Sequence, residues 1–119
     1  MLESLKPYNL DRFPNLITNV EVLHWGSELK IECINDPYHD KLPYQLYFYD
    51  CQDIQISVHS SENINDLEAD LIFFETNNKR SPKSASIYTD IFEISVSYTR
   101  LEIHQTSHSP ELKSIAKSL

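Results

Sequence analysis

Three segments of the chain alternate apolar with polar side chains, so that the apolar positions recur every second residue. Successive side chains of a β-strand leave the backbone on opposite sides, and this period therefore predicts strands with one buried face. We expect these buried faces to carry Leu29, Ile31 and Cys33 in the first segment, Ile54, Ile56 and Val58 in the second, and Phe92, Ile94, Val96 and Tyr98 in the third.

The first predicted hairpin is centred on Gly26 and Ser27. Strands over residues 18–25 and 28–34 flank this pair, and a two-residue loop that begins with glycine is typical of a type II′ turn. The resulting register gives one face that is almost wholly apolar and also includes His24. Its pairs are Trp25 with Glu28, His24 with Leu29, Val22 with Ile31, and Val20 with Cys33.

A second hairpin is predicted from strands over residues 44–49 and 54–59, and the length of its loop decides which faces meet. A four-residue loop would turn Tyr47 and Tyr49 toward the core. A loop with an odd number of residues, three or five, instead turns the residues that alternate with the two tyrosines inward. The burial of their apolar surface favours this loop length. We therefore expect Tyr47 and Tyr49 to point outward.

Residues 67–74 give a further predicted strand whose far end is apolar on both sides. The alternation places Leu71 and Phe73 on the inner face and Ile72 and Phe74 on the outer face. Because exposed apolar residues mark association sites, a symmetric dimer that buries Ile72 and Phe74 is one form of interaction that the sequence suggests.

The apolar phase switches at Thr99 and Arg100. A two-residue hairpin would explain the switch by pairing Tyr98 with Leu101 and Val96 with Ile103. A bulge in one long strand is the alternative.

The whole chain, residues 1–119, is predicted to form a single domain. Residues 1–16 form an N-terminal arm, residues 17–107 a β core, and residues 109–119 a short helix, for which Ser109 is a suitable N-cap. The fold class is therefore all-β with a short C-terminal helix. The mostly antiparallel strands, about seven or eight in number, are expected to form a sandwich or a flattened barrel.

Charge and composition narrow the function. The net charge of −8 repels phosphate backbones and attracts cationic surfaces, so we expect a protein partner or self-association and no nucleic acid. The basic residues Lys79, Arg80 and Lys83 are interpreted as a solvated loop. A single glycine excludes phosphate-cradling loops and nucleophile elbows.

The cellular setting follows from the cysteines and from hydropathy. Cys33 and Cys51 are expected to be free thiols, which indicates a reducing, cytoplasmic location. No apolar run approaches the roughly 20 residues that a membrane-spanning helix needs, so no membrane association is expected. The two aspartates beside Cys51 raise a thiol pKa, which argues against a catalytic cysteine at that position.

One loop contains side chains that could bind a ligand or transfer a proton. Asp36, His39 and Asp40 could bind a hard cation or share a proton, but their spacing matches no metal motif, and an aspartate-rich turn is the simpler interpretation. His24, His59 and His104 are predicted to point to different sides of the sheet, so they do not form a ligand set. We therefore predict no catalytic residues, no metal and no cofactor.

Two functional classes remain. The first is a non-enzymatic binding or regulatory module, in one version an inhibitor of a cationic partner, whose surface contains Tyr38, Tyr47 and Tyr49. Asp36 and Asp40 are placed at the rim of that surface, with His39 between them. The second is a small-molecule-binding barrel or an enzyme with a pocket near Asp36, His39 and Asp40.

Overall fold

In the part of the chain that the structure describes, eight antiparallel β-strands form one sheet. The computed structural model describes residues 3–59, 68–79 and 81–105. The strands are β1 (Asn15–Leu23), β2 (Glu28–Asn35), β3 (Leu42–Tyr49), β4 (Gln52–Val58), β5 (Ala69–Asn77), β6 (Lys83–Thr89), β7 (Phe92–Tyr98) and β8 (Arg100–Gln105). Their order across the sheet is β4-β7-β6-β5-β1-β2-β3-β8. The prediction of an all-β antiparallel fold is confirmed.

Helical structure in the described residues is limited to two short 3-10 segments, Glu3–Tyr8 and His24–Gly26. The first segment belongs to the predicted N-terminal arm, and it carries Leu5, which is fully buried. The C-terminal helix predicted over residues 109–119 lies outside the described residues.

The sheet folds back on itself so that its inner faces enclose one core. Phe48 of β3 and Phe74 of β5 lie edge to face with their ring centroids 6.5 Å apart. These strands are three places apart in the sheet order, which in a flat sheet would separate them by about 14 Å. The largest fully buried side chains are Tyr44, Tyr98, Phe48, Phe74, Leu5, Leu10, Leu29, Ile31, Leu46, Ile87, Ile94 and Val96.

The predicted β1–β2 hairpin exists, but its register differs by two residues. Leu23 pairs with Glu28 and Val22 with Leu29, so the loop has four residues rather than two. His24 and Trp25 adopt positive φ angles of 51° and 61° inside this loop, which ends the strand earlier than its alternation suggests. The placement of His24 on the buried face is therefore wrong, because its side chain is exposed in the turn.

The predicted hairpin between β3 and β4 is wrong. β3 pairs with β2 and β8, whereas β4 pairs with β7. The chain bends at Asp50 and Cys51 and passes from one side of the folded sheet to the other, which strands at sheet corners commonly do. Tyr47 and Tyr49 nevertheless point outward, because β3 alternates buried and partly exposed residues as predicted.

A second bend lies directly beside the first. β7 runs into β8 through Thr99, and the two strands do not form the predicted hairpin, since Tyr98 pairs with Lys83 and Leu101 with Phe48. The backbone N–H of Thr99 donates to the carbonyl of Tyr49 at 3.0 Å, and its hydroxyl donates to Asp50 at 2.7 Å. The alternative, a bulge in one long strand, does not describe this region either, because β7 and β8 are separate strands that pair with different neighbours.

Two further predicted faces need correction. An irregular pairing between Leu71 and Phe73 shifts the alternation of β5, so of the two residues predicted to point outward Phe74 is buried and Ile72 is exposed. In β4, Ile56 and Val58 are 48% and 54% exposed, because this strand lies at the edge of the described sheet.

A buried polar network ties the N-terminal arm to three strands. Asn15 accepts hydrogen bonds from the Tyr44 hydroxyl at 2.8 Å and from the Asn35 amide at 3.0 Å. The amides of Asn15 and Asn35 both donate to the carbonyl of Leu10, at 2.8 Å and 3.1 Å. Because buried polar groups must be paired, this network fixes where the arm enters β1.

Candidate functional site

Tyr47 and Tyr49 lie side by side on the outer face of the sheet. They alternate along β3 with Leu46 and Phe48, which are buried. Their rings are stacked with an angle of 12° between planes and 6.2 Å between centroids. Two neighbouring aromatic side chains in one orientation offer a continuous, partly exposed apolar surface with hydroxyl groups at its edge.

Cations from the neighbouring strands cover part of both rings. Lys30 of β2 pairs with Tyr47 and holds its ammonium 5.8 Å from the ring centroid. Arg100 of β8 pairs with Tyr49 and holds its guanidinium carbon 4.2 Å from that centroid. These cation–π contacts restrict the rotation of the rings. We call Lys30, Tyr47, Tyr49, Arg100, Glu102 and His104 the tyrosine face.

Glu102 of β8 joins the members of this face. Its carboxylate accepts hydrogen bonds from His104 at 2.9 Å and from the Tyr49 hydroxyl at 3.2 Å, and it pairs with Arg100 at 3.3 Å. The hydrogen bond from His104 is the main cause that lowers the pKa of Glu102, and Tyr49 and Arg100 add to it. The carboxylate is therefore held in its charged form.

Carboxylates outnumber cations on and around the tyrosine face. Glu21 and Glu32 flank Lys30 at 3.6 Å and 3.9 Å, and Glu28 pairs with Tyr49 across the strands. With Glu102 there are four carboxylates against Lys30 and Arg100, a local charge of 2 − 4 = −2 with neutral His104. The pKa of Lys30 is raised, mainly by Tyr47 and also by Glu32 and Glu21. The charged side chains around the rings therefore carry a net negative formal charge.

The loop between β2 and β3 holds the other predicted site residues. Asp36 is buried and adopts a φ of 55°, and its carboxylate contacts the His39 ring at 3.1 Å and the N–H of Asp40 at 3.4 Å. Its own N–H donates to the carbonyl of Pro14 at 2.9 Å. Asp36 therefore shapes the turn, while Tyr38, His39 and Asp40 are exposed on it.

This loop and the tyrosine face are separate places on the surface. The loop joins β3 at Leu42, and Tyr47 follows five residues later along the strand, which corresponds to about 17 Å. Tyr49 lies farther still. The structure thus brings Tyr47 and Tyr49 together and leaves Tyr38 and its loop outside their contact distance.

The remaining titratable groups do not converge on a reaction centre in the described part of the chain. His59 contacts Tyr88 with centroids 4.6 Å apart, and His104 contacts Tyr47 at the same distance. No group of three or more His, Cys, Asp or Glu side chains among residues 3–59, 68–79 and 81–105 is arranged to hold a metal ion. The histidines are thus distributed over different surfaces.

Both cysteines are free and buried. Burial raises the pKa of Cys33 to about 12 and that of Cys51 to about 11. The Cys51 thiol donates to the carbonyl of Phe48 at 3.3 Å. Because the thiolate is the nucleophilic form, neither side chain has the properties of a catalytic cysteine.

A surface cleft of about 370 Å³ lies between the first 3-10 helix and the ends of β5 to β8. Polar groups from Ser4, Thr76 and Lys83 line it together with Tyr98, whose hydroxyl reaches Asn78 at 3.5 Å. This cleft is not at the Asp36 loop, where the sequence suggested a pocket. Lys83 comes from the predicted basic loop, in which Lys79 is exposed and Arg80 lies outside the described residues.

Comparison with known proteins gives no family and no function: no protein-family model matches the chain, and no curated protein is similar to it in sequence. Among the described residues no helix has both the length and the apolar character needed to span a membrane.

The alternation along β3 identified the two outward tyrosines but not the side chains that contact them. Lys30 could have been found, because it alternates with Leu29 and Ile31 and so had to share the outer face with the tyrosines. No local sequence pattern indicates that Arg100, Glu102 and His104 lie beside the tyrosines, because β3 and β8 are more than fifty residues apart in the chain. In addition, the two wrong hairpin predictions paired β3 with β4 and β8 with β7.

Proposed function

We propose that the chain is a flattened barrel that acts as a cytoplasmic, non-enzymatic protein-binding module. The partner carries a cationic surface and docks on the tyrosine face. The observation that carries the proposal is the pair Tyr47 and Tyr49, stacked and partly exposed on an outer sheet face and surrounded by carboxylates. Tyrosine and arginine are enriched at the centres of protein interfaces.

The ordering of the rings supports this proposal. Binding costs free energy when it immobilises flexible side chains, about 0.5–1.5 kcal/mol for each one. Tyr47 and Tyr49 are already restrained by Lys30, Arg100 and Glu102, so less of that cost remains for the encounter with a partner. A preordered aromatic surface therefore binds more tightly than a flexible surface of the same area.

Charge supports a cationic partner. The net charge of −8 produces a field that accelerates encounter with a basic protein, and salt weakens this effect. Lysine or arginine side chains of the partner would find carboxylates around the rings as acceptors. Covering the partner's basic surface would keep anionic ligands away from it. If the protein is regulatory, it therefore inhibits its partner.

The test compares proteins captured by immobilised wild type and by variants. Tyr47→Ala combined with Tyr49→Ala should lose a basic partner, because aromatic anchors commonly contribute 2 kcal/mol or more to binding. Tyr38→Ala combined with Tyr88→Ala is the matched control, since these tyrosines are 74% and 41% exposed and lie elsewhere. Circular dichroism establishes that each variant is folded.

The expected result is a basic protein that is retained by wild type and control, is lost by the tyrosine-face variant, and dissociates more readily as salt rises. If a folded tyrosine-face variant retains every protein that the wild type captures, the proposal is wrong.

The cleft lined by Thr76, Lys83 and Tyr98 supports a second candidate, a small-molecule-binding protein. Its volume of about 370 Å³ is within the range of ligand sites, and the ammonium of Lys83 would suit an anionic ligand. Its lining residues are not members of the tyrosine face, so experiments can tell the two candidates apart.

A further inference from the structure

The two edges of the sheet are chemically different. Within the described part of the chain, β8 pairs with β3 alone, and it carries Arg100, Glu102 and His104. Charged side chains of this kind are how proteins protect edge strands from pairing with other chains. β4 pairs only with β7 among the described strands, and residues 54–58 of β4 contain no charged side chain and no proline.

The unprotected part of β4 is also accessible. Residues 55–58 are all exposed, and Ile56 and Val58 retain 48% and 54% of their surface. Irregular pairing to β7 is confined to the start of the strand, between Gln52 and Gln55. From Gln55 to Val58 the strand is regular, and among the described strands none pairs with its second edge, so another strand can add to it there.

We propose that β4 pairs antiparallel with β4 of a second copy of this chain. A two-fold axis through Ile56 places this residue opposite the partner's Ile56, Ile54 opposite the partner's Val58, and Gln55 opposite the partner's Ser57. Apolar side chains thus meet apolar ones on one face and polar side chains meet on the other. The two sheets join into one continuous antiparallel sheet.

This self-complementary register favours a second copy over an unrelated strand. Moving the axis by one residue to Gln55 would place Asp53 opposite the partner's Ser57 and leave Val58 without an apolar partner. The attraction lies in uncharged groups, whereas the two chains repel each other through their net charges of −8. Salt should therefore strengthen the dimer, although it weakens binding of a cationic partner to the tyrosine face. The interface and the tyrosine face share no residue.

Sedimentation velocity of the full chain from low to high micromolar concentration tests the proposal. Wild type should show a monomer–dimer equilibrium, and Ile56→Lys should weaken it by about tenfold or more, because like charges then face each other across the axis. Ile72→Lys is the matched control: Ile72 is 43% exposed but belongs to β5, whose two edges are both paired. Thermal melts establish that both variants are folded.

A mixture gives the sharpest test of register. Ile56→Lys and Ile56→Asp should each be monomeric alone and should form a heterodimer when mixed, since position 56 meets itself only about this axis. A wild type that stays monomeric throughout the range, or an Ile72→Lys variant that dissociates as far as Ile56→Lys, would overturn the proposal. A mixture without a heterodimer would overturn the register centred on Ile56.

Discussion

Phe48 and Tyr98 lie edge to face with their ring centroids 5.1 Å apart, although their strands, β3 and β7, are five places apart in the sheet order. In a flat sheet that separation would be about 24 Å. The contact is possible because the chain crosses between the two sides of the folded sheet at Asp50–Cys51 and again at Thr99. Tyr47 and Tyr49 lie on the opposite, outer face of β3, where they are partly exposed.

Ile94 and Ile56 are paired across β7 and β4, yet a charge at the two positions should have very different effects. Ile94 is fully buried and Ile56 is 48% exposed. We expect Ile94→Asp to prevent folding, because an unpaired buried carboxylate costs several kcal/mol, whereas Ile56→Asp should remain folded. Ser95→Asp, on the exposed side of β7, is the control and should also remain folded. Thermal melts measure all three, and equal destabilisation would show that the assigned faces are wrong.

The asparagine network should contribute strongly to stability. Asn15→Ala leaves the Tyr44 hydroxyl and the Asn35 amide short of buried partners, and each unpaired group costs about 1–3 kcal/mol. Asn19→Ala, in the same strand but exposed, should change the free energy of unfolding by less than about 0.5 kcal/mol. Urea unfolding compares the two variants. Similar values for both would mean that the network does not stabilise the fold.

The cysteines should be unreactive in the folded protein. Because burial raises the pKa of Cys33 to about 12 and of Cys51 to about 11, little thiolate forms at mildly alkaline pH. We expect a colorimetric disulfide reagent to label neither thiol in native protein and to label both in denaturant. Rapid labelling of native wild type that Cys51→Ser abolishes would contradict the burial of Cys51.

Glu102 should titrate below the usual range of glutamate. The pKa is lowered first by His104 and then by Tyr49 and Arg100. A lowered folded-state pKa gives stability that is present above the unfolded-state pKa and is lost as the pH falls through the folded-state pKa. The carboxylate is solvent-exposed, so this contribution is small and is screened by salt. Carboxyl NMR should show a higher pKa in His104→Gln and in Tyr49→Phe; an unchanged pKa would contradict the hydrogen bonds.

Local patterns predicted which residues are buried better than they predicted which strands pair. The alternation in β2 and β7 correctly identified Leu29, Ile31 and Ile94, because a period of two depends only on one strand and one core. Pairing partners were predicted from adjacency in the chain, and this failed where β3 and β4 bend between the two sides of the sheet. The short bend at Asp50 and Cys51 resembles a hairpin loop in sequence.

For the candidate site, too, the direction of side chains was predictable and the pairing of strands was not. The outward direction of Tyr47 and Tyr49 followed from the alternation along β3. Their grouping with Tyr38 did not account for the length of the strand that separates them, and the partners on β8 depended on a pairing between distant segments. With a single glycine, the chain uses other residues at positive φ angles, among them Asp36, Asp50 and Asp53, and aspartate tolerates this conformation better than most residues.

The most direct test of the proposed function is NMR mapping of the isotope-labelled chain against the basic partner identified by capture. We predict that the largest shift changes occur at Lys30, Tyr47, Tyr49 and Arg100, that they are lost in the Tyr47→Ala and Tyr49→Ala double variant, and that they shrink as salt rises. Shift changes concentrated at Thr76, Lys83 and Tyr98, with the tyrosine face unaffected, would contradict the proposal and identify the cleft as the binding site.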